Sequence, residues 1–263
     1  MRTQDTIVLK FGGAAVASTE QFAKIADIIL SKSRSFRVVV VVSAMGDTTD
    51  QLLSLARQVH QSPPPREQDM LVSVGERISI SLLAMALHQK EKEAISFTGS
   101  QSGIITSSKH SEAKIIDVKP HRILKALDEG KVVIVAGFQG VSREGEITTL
   151  GRGGSDTTAV ALAVALGASS VEFYKDVDGV YSDDPKSHPA ARRFPFLTFE
   201  EAIAIVEKGA KVLHSRCIRL AEKNGLPLHV VSFYDPHLKH HSGTLIGPQT
   251  RATSSCLFEG DHG

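Results

Sequence analysis

Residues 38–42 are five consecutive valines, and this run restricts the possible folds more than any other stretch of the chain. A continuous β-branched run with polar residues on either side is typical of a central parallel strand that is buried on both faces. Strand and helix patterns also alternate along the rest of the chain, which favours a parallel sheet with helices packed on it. The sequence therefore predicts an α/β fold, a three-layer αβα sandwich around a mostly parallel sheet.

The other elements follow from apolar periodicity and from glycine and proline breaks. Further strands are predicted at residues 7–9, 94–97, 131–136, 171–174, 228–231 and 242–247, with a hairpin tip at 142–146. Helices are predicted at residues 20–30, about 51–60, 120–130, 157–166, 198–208 with capping-box spacing, and a last one ending at 224–225, and a long helical stretch is predicted at 68–88. The pattern fades after Gly247, so we expect one folded unit over 1–247 and a flexible tail over 248–263.

Composition excludes several classes of protein. The chain has 263 residues, 41% of them hydrophobic, which is enough for a large core. A net charge of +1 and the absence of Trp give no indication of nucleic-acid binding or of a charged membrane surface. Two cysteines, Cys217 and Cys256, are too few for a disulfide framework or a metal cluster. Without an apolar run of ~18 residues or a secretory signal, we expect a soluble cytoplasmic protein.

The stretch from Gly151 to Asp156 contains three glycines in four positions and directly precedes a predicted helix. Such a loop presents backbone N–H groups and the positive end of a helix dipole, which suits a phosphate or a carboxylate. Arg152 adds a planar fork that can grip either anion, and Ser155 or Asp156 is a natural N-cap. An ordinary tight turn with a capped helix is the alternative, but Arg, Ser and Asp within one loop favour an anion site.

A second anion site is predicted where the first strand ends, at Lys10, Phe11, Gly12 and Gly13. The glycines allow close approach of the backbone, and the lysine supplies a mobile positive charge. The alternative is a strand followed by a turn.

Polar residues follow the valine strand, and an acid lies within the predicted long helix. Ser43 and Thr49 are candidate ligand hydroxyls, because α/β proteins bind ligands at the carboxyl ends of parallel strands. Thr48 or Asp50 could simply cap the next helix. Glu76, beside the mid-helix Gly75, is either an acid that accepts a ligand ammonium or one half of a surface pair with Arg77.

The loop over residues 175–186 contains two lysines, one tyrosine and four aspartates. Clustered aspartates could bind a divalent metal, although Mg²⁺ usually needs only one or two protein carboxylates plus phosphates. Turns at 178–179 and 184–185 are the alternative, and we expect the turns to exist and some side chains also to face a nucleotide.

Common catalytic fingerprints are absent: the chain has no Gly-x-Ser-x-Gly elbow, no Walker loop and no Rossmann glycine motif. A nucleophilic pair of Cys217 and His214 is disfavoured because no orienting acid is evident. Cys217 is better explained as a small core residue.

Taken in order, six motifs resemble those of the aspartate kinases within the amino acid kinase superfamily. They are residues 10–13 (KFGG), 43–50 (SAMGDTTD), 75–77 (GER), 137–140 (GFQG), 148–156 (TTLGRGGSD) and 176–181 (DVDGVY). The resemblance extends from about residue 7 to residue 247. It implies the αβα fold, with a substrate half and then a nucleotide half. It also implies phosphorylation of the β-carboxylate of L-aspartate by ATP and Mg²⁺, giving 4-phospho-L-aspartate, in a homodimer.

The resemblance also implies roles for individual residues. Lys10 would stabilise the transferring phosphoryl group, and Asp156 would orient Lys10 or the metal environment. The substrate would be bound by Ser43, Thr49, Glu76, Arg152, Gly153, Gly154 and Ser155. The nucleotide would be bound by Lys10, Phe11, Gly12, Gly13, Lys175, Asp176, Tyr181, Lys186, Lys211 and Val212. No metal site made of protein side chains is expected.

Phosphoryl transfer depends on positioning and charge neutralisation, which these residue types supply. Two departures from the family pattern stand out. Ala14 and Ala15 occupy positions where the family usually has Thr or Ser, and the chain stops soon after the part that resembles the catalytic domain, without ACT regulatory domains. A kinase for another small amino acid or carboxylate, or a ligand-binding subunit with little turnover, are therefore the alternatives.

Overall fold

The computed structural model describes residues 4–183, 187–188, 190–210, 212–234 and 243–248. Its strands are β1 (Thr6–Phe11), β2 (Arg37–Val42), β3 (Ala94–Phe97), β4 (Ile104–Thr106), β5 (Ile115–Val118), β6 (Val132–Ala136), β7 (Gln139–Ser142), β8 (Ile147–Thr149), β9 (Val171–Lys175), β10 (Val180–Tyr181), β11 (Arg193–Phe194), β12 (Phe196–Leu197), β13 (Leu228–Ser232) and β14 (Thr244–Ile246). Its helices are α1 (Thr19–Lys32), α2 (Thr48–Val59), α3 (Pro65–Val72), α4 (Val74–Gln89), α5 (His121–Asp128), α6 (Gly154–Ala165), α7 (Phe199–Glu207) and α8 (Ser215–Lys223).

An eight-stranded sheet organises the structure, in the order β12-β14-β13-β9-β1-β2-β6-β3. Every pairing in it is parallel except that of β13 with β14. The predicted fold class is therefore confirmed.

The valine run lies in β2, near the middle of the sheet, and alternate valines pack on opposite faces. Val39 and Val41 belong to the core beneath α5, α6 and α8, whereas Val38, Val40 and Val42 belong to the core beneath α1 and α4. The strand is thus buried on both faces, as the unbroken β-branched run predicts.

A second, four-stranded sheet in the order β5-β4-β7-β8 was not predicted, apart from the hairpin that joins β7 to β8. The other two strands, β4 and β5, contain three and four residues. Runs this short carry too little alternation to be distinguished from a polar loop.

The predicted helical stretch over 68–88 is confirmed, although the turn residue Ser73 divides it into α3 and α4. The buried carbonyl of Ser73 accepts a hydrogen bond of 2.8 Å from the side-chain amide of Gln139. Residues 65–89 together are also long and apolar enough to cross a membrane by length and composition, which the sequence analysis did not anticipate. Core helices of folded proteins pass the same test, and here Leu83 and Leu87 pack in the core beneath the sheet.

Candidate active site

The carboxyl ends of four neighbouring strands form the edge of the sheet at which most of the predicted site residues meet. The backbone N–H of Ser43, just after β2, donates to the carbonyl of Phe11 at the end of β1 at 3.1 Å. The N–H of Gly137, just after β6, donates to the carbonyl of Val42 at 3.0 Å. Parallel pairing thus brings the loops after β1, β2, β6 and β9 to one edge, where α/β proteins bind ligands.

A buried cluster of three charges lies at this edge. The ammonium of Lys10 is 2.5 Å from one carboxylate oxygen of Asp156, and the ammonium of Lys175 is 3.2 Å from the other. Burial alone would raise the pKa of Asp156, but the two lysine charges outweigh burial and hold this pKa at about 2. The cluster carries a net charge of one positive unit, which suits an anionic ligand.

Burial also affects the pKa of Lys10, the less exposed of the two lysines. It lowers the pKa of the ammonium below its usual value, and Lys175 lowers it further, although Asp156 acts in the opposite direction. An added anion, such as a phosphate, would favour the charged form of Lys10.

Gly12 and Gly13 leave open space beside Lys10 and Gly46, which a side chain at either glycine position would fill. A Cβ at Gly12 would lie 3.4 Å from the Lys10 ammonium, and one at Gly13 would lie 3.1 Å from the carbonyl oxygen of Gly46. The ring of Phe11 points away from this edge, into the core, where it stacks on Tyr174 with ring centroids 4.6 Å apart. Only the backbone of Phe11 borders the site.

Glu76 is buried at the start of α4, with 2% of its surface exposed, and is not half of a surface pair. One carboxylate oxygen accepts the N–H of Ala44 at 3.1 Å, while the other has no hydrogen-bond partner. Burial raises the pKa of Glu76 to about 7. Close packing explains the glycine at position 75, because a Cβ there would come within 2.8 Å of the Ala44 side chain.

Ser43 and Thr49 are half-buried on either side of the loop that contacts Glu76. The helix after this loop, α2, begins at Thr48, with Asp47 as the N-cap residue. Capping by Thr48 or Asp50 was therefore wrong, and the Thr48 hydroxyl instead donates to the carbonyl of Met45 at 2.6 Å.

The glycine-rich loop differs from its prediction in its cap. Gly153, in the left-handed conformation with φ of 70°, is the N-cap residue of α6, and neither Ser155 nor Asp156 caps the helix. Both lie in the first turn, where Asp156 is engaged by lysines and Ser155 packs closely against Gly137. Gly154 is buried, and Arg152 is exposed with no ion pair in the described part of the chain.

A cavity of about 920 Å³ extends from the strand-end lysine Lys175. Four of the residues predicted to bind a nucleotide line it together: Lys175, Asp176, Tyr181 and Val212. Lys186 and Lys211, also predicted there, lie outside the described residues. A second cavity of about 450 Å³ shares Gly209 and Ala210 with the first and reaches Gly153 and Asp156. The second cavity therefore lies between the large cavity and the charged cluster.

Sequence reasoning missed four further residues that line the large cavity: Ile205, Lys208, Gly209 and Ala210. Gly209, with φ of 110°, follows Lys208, the C-cap residue of α7, and was the only local signal of a change in direction. Tyr181 also lines the large cavity, and its hydroxyl donates to Asp178 at 2.7 Å beside the predicted turn at Gly179.

Comparisons with known proteins identify the family to which the chain belongs. The family described as "Amino acid kinase family" matches residues 5–232. The aspartokinase of Mycobacterium tuberculosis (strain ATCC 25618 / H37Rv) is 55% identical over 230 residues, which are 87% of this chain and 55% of that protein. The chain therefore spans about half the length of the curated relatives it matches.

Two solved structures are similar. One is an aspartate kinase from Synechocystis, with a TM-score of 0.84 and 40% identity, covering 96% of this chain and 41% of that chain. The other is E. coli aspartokinase III in complex with aspartate and ADP, with a TM-score of 0.84 and 30% identity, covering 94% of this chain and 65% of that chain.

Proposed function

The chain belongs to the amino acid kinase family, and we propose that it is the catalytic part of an aspartate kinase. In this reaction an oxygen of the aspartate β-carboxylate attacks the γ-phosphorus of ATP. A new phosphorus–oxygen bond forms, the bond to the bridging oxygen of ADP breaks, and ADP leaves with the electron pair. The products are 4-phospho-L-aspartate and ADP, and no covalent enzyme intermediate is needed.

The observation that carries the proposal is the unpartnered oxygen of Glu76. A buried carboxylate oxygen without a partner is costly, and a ligand ammonium would provide both a hydrogen bond and the opposite charge. An amino acid substrate has such a group, whereas a simple carboxylate or a nucleotide does not. The relative crystallised with aspartate and ADP supports the same assignment.

The remaining substrate contacts follow from the arrangement at the edge. Arg152, exposed on the glycine-rich loop, would bind the aspartate α-carboxylate through two charge-assisted hydrogen bonds. The backbone of Gly153, Gly154 and Ser155 and the positive end of α6 would lie beside the same carboxylate. Ser43 and Thr49 would line the path between the aspartate and the phosphate.

ATP would occupy the 920 Å³ cavity, with its base and ribose against Lys175, Asp176, Tyr181 and Val212. Its terminal phosphate would then approach Lys10 and the glycine pair 12–13, which are best assigned to the transferring phosphoryl group. Lys10 would neutralise the charge that develops during transfer, and Asp156 would hold the ammonium in place.

The residues fit Mg²⁺ only as a partner of the nucleotide. Among the described residues, no three His, Cys, Asp or Glu side chains converge on one point, and both oxygens of Asp156 face lysines. Mg²⁺ usually retains water and binds phosphates with one or two carboxylates, so ATP would bring the ion and its charge neutralisation. The homodimer and the cytoplasmic location remain predictions.

The second candidate is a kinase for a different acidic substrate, suggested by Ala14 and Ala15. Ala15 is 4% exposed and packs in the core, so a missing hydroxyl there concerns packing. Ala14 is exposed near the phosphoryl loop and is the position at which the substitution can affect the site.

A hydroxamate-trapping assay tests the proposal, because hydroxylamine converts acyl phosphates into coloured hydroxamates. We expect aspartyl hydroxamate with MgATP and little product from glutamate, N-acetylglutamate or succinate. A hydroxamate from another acid alone would establish the second candidate. Binding of aspartate and ATP without ADP release would identify a subunit with little turnover.

A further inference from the structure

Two segments of the chain, residues 110–113 and 149–151, meet where the glycine-rich loop begins, and this contact is called the crossing below. The N–H of Ala113 donates to the carbonyl of Thr149 at 2.9 Å. Gly151, with φ of 72°, passes so close to the other segment that a Cβ would lie 3.0 Å from the carbonyl oxygen of Ser111. The position of the crossing therefore determines where the loop begins.

Asp69, on α3, binds the N–H groups of this crossing from one side. It is completely buried, and its carboxylate accepts from the N–H of Ser111 at 3.0 Å and from that of Thr149 at 3.1 Å. The Thr149 hydroxyl adds a third contact at 2.6 Å, and Nδ1 of His110 lies 2.9 Å away. One buried acid thus holds both crossing segments.

Arg216, on α8, binds the carbonyl groups of the same crossing from the other side. Its Nη1 donates to the carbonyl of Leu150 at 2.6 Å, and its Nη2 donates to that of Ala113 at 2.7 Å. The guanidinium fork spans the two segments as it would span the two oxygens of a carboxylate. His214, the N-cap residue of the same helix, packs so closely on Gly153 that no side chain would fit at position 153.

We propose that Asp69 and Arg216 are positioning residues for aspartate binding, acting through the backbone of the loop that carries Arg152. The proposal rests on the proposed function, because it assigns Arg152 to the substrate carboxylate. The Asp69 carboxylate on α3 accepts hydrogen bonds from the N–H groups of the crossing, and the Arg216 guanidinium on α8 donates to its carbonyl groups. Neither side chain touches the substrate.

The short distance along the chain makes this restraint effective. Only Gly151 separates Leu150, whose carbonyl Arg216 binds, from Arg152. The N–H of Gly154 donates to the carbonyl of Gly151 at 3.0 Å, so the loop is a tight turn with little slack. A shift at Leu150 passes directly to Arg152, and even small displacements of a binding group reduce its contribution strongly.

The experiment compares Arg216→Ala and Arg216→Lys with a matched control, Arg219→Ala. Arg219 lies one turn away on α8 and pairs on the surface with Glu207 at 2.6 Å. Steady-state kinetics would give KM for aspartate, KM for ATP and kcat, each in the wild-type and Arg152→Ala backgrounds. Asp69→Asn provides the same test from the other side of the crossing.

We expect Arg216→Ala to raise KM for aspartate about tenfold. KM for ATP should stay within about twofold, Arg216→Lys should be intermediate, and Arg219→Ala should resemble the wild type. In the Arg152→Ala background the same substitution should add little, because both act through one contact. An unchanged KM for aspartate, or a full additional increase in the Arg152→Ala background, would overturn the proposal.

A second measurement does not depend on the substrate. Trypsin cleaves after exposed Arg152 only when the loop moves out of its turn, so we expect cleavage there to be at least about fivefold faster in Arg216→Ala than in Arg219→Ala. Equal rates would show that Arg216 does not restrain the loop. If Arg216→Ala is cleaved faster but the wild-type protein forms no aspartyl hydroxamate, Arg216 restrains the loop and only the proposed function is rejected.

Discussion

The ammonium of Lys10 lies 2.5 Å from Oδ1 of Asp156, and both side chains are almost completely buried. The contact joins the carboxyl end of the central strand β1 to the first turn of α6, the helix that follows the glycine-rich loop. Because the pKa of Asp156 is about 2, the carboxylate is ionised at any pH at which the protein would work. The ammonium is thus fixed before a ligand arrives, which is the arrangement that stabilises developing charge most effectively.

Replacing Lys10 with Ala should lower kcat by about 100-fold or more, because the substitution removes the positive charge that we assign to the transferring phosphoryl group. KM for aspartate should change only a few-fold, since Glu76 and Arg152 remain. Initial-rate measurements check both values. Lys90→Ala is the control, because Lys90 pairs with Asp27 on the surface. Nearly normal turnover in Lys10→Ala would contradict the assignment.

Aspartate binding should depend on pH through Glu76, because burial raises the pKa of its carboxyl group to about 7. As pH falls below about 7 the carboxyl group becomes protonated and loses its attraction for the substrate ammonium. KM for aspartate should therefore rise with falling pH in the wild type. Glu76→Gln should raise this KM about 100-fold at pH 8 and remove the pH dependence between 6 and 8. A Glu76→Gln protein with the wild-type profile would show that another group controls binding.

The same raised pKa predicts an effect on stability in the absence of ligand. Glu76 has an ordinary pKa of 4.5 and a folded-state pKa of about 7, so the folded state binds its proton more tightly. Its contribution to the free energy of unfolding is present below pH 4.5 and is lost as pH rises to about 7. At pH 8 Glu76→Gln should be more stable than the wild type by about 3 kcal/mol. Urea unfolding at pH 8 and pH 5 measures this gain, which should be small at pH 5.

The fold followed from the sequence where a local pattern determined the environment. Five valines in a row require burial on both faces, and β2 has that environment. The break at Ser73 carried no such pattern, and its carbonyl group binds the side chain of Gln139, which lies far along the chain. The strands β4 and β5 were missed because three or four residues do not establish a period.

The candidate site divides in the same way. Lysine and arginine next to glycines predicted two anion loops, and the structure brings one of them, with Lys10, into contact with Asp156 of the other. Sequence did not reveal Asp69 or Arg216, whose partners are backbone groups of residues distant in sequence. Neither residue lies in a motif, and only the folded chain shows that both hold one crossing.

Filling the large cavity should weaken ATP binding without affecting aspartate. Val212 lines the large cavity but not the second cavity that reaches Asp156, and Val212→Trp would place an indole ring where the nucleotide is expected. KM for ATP should rise about tenfold or more, while KM for aspartate stays within about twofold. Val59→Trp is the control, because Val59 is 89% exposed on α2. An unchanged KM for ATP would place the nucleotide elsewhere.

Replacing Arg152 with Ala is the most direct test of substrate recognition by the glycine-rich loop. The substitution removes a charge-assisted contact worth ~1.5–3 kcal/mol, which corresponds to a rise of about 10- to 150-fold in KM for aspartate. KM for ATP should change little, because Arg152 does not line the large cavity. Arg143→Ala, at the exposed hairpin tip between β7 and β8, removes the same charge away from the site. If both variants have the same KM for aspartate, Arg152 does not bind the substrate carboxylate.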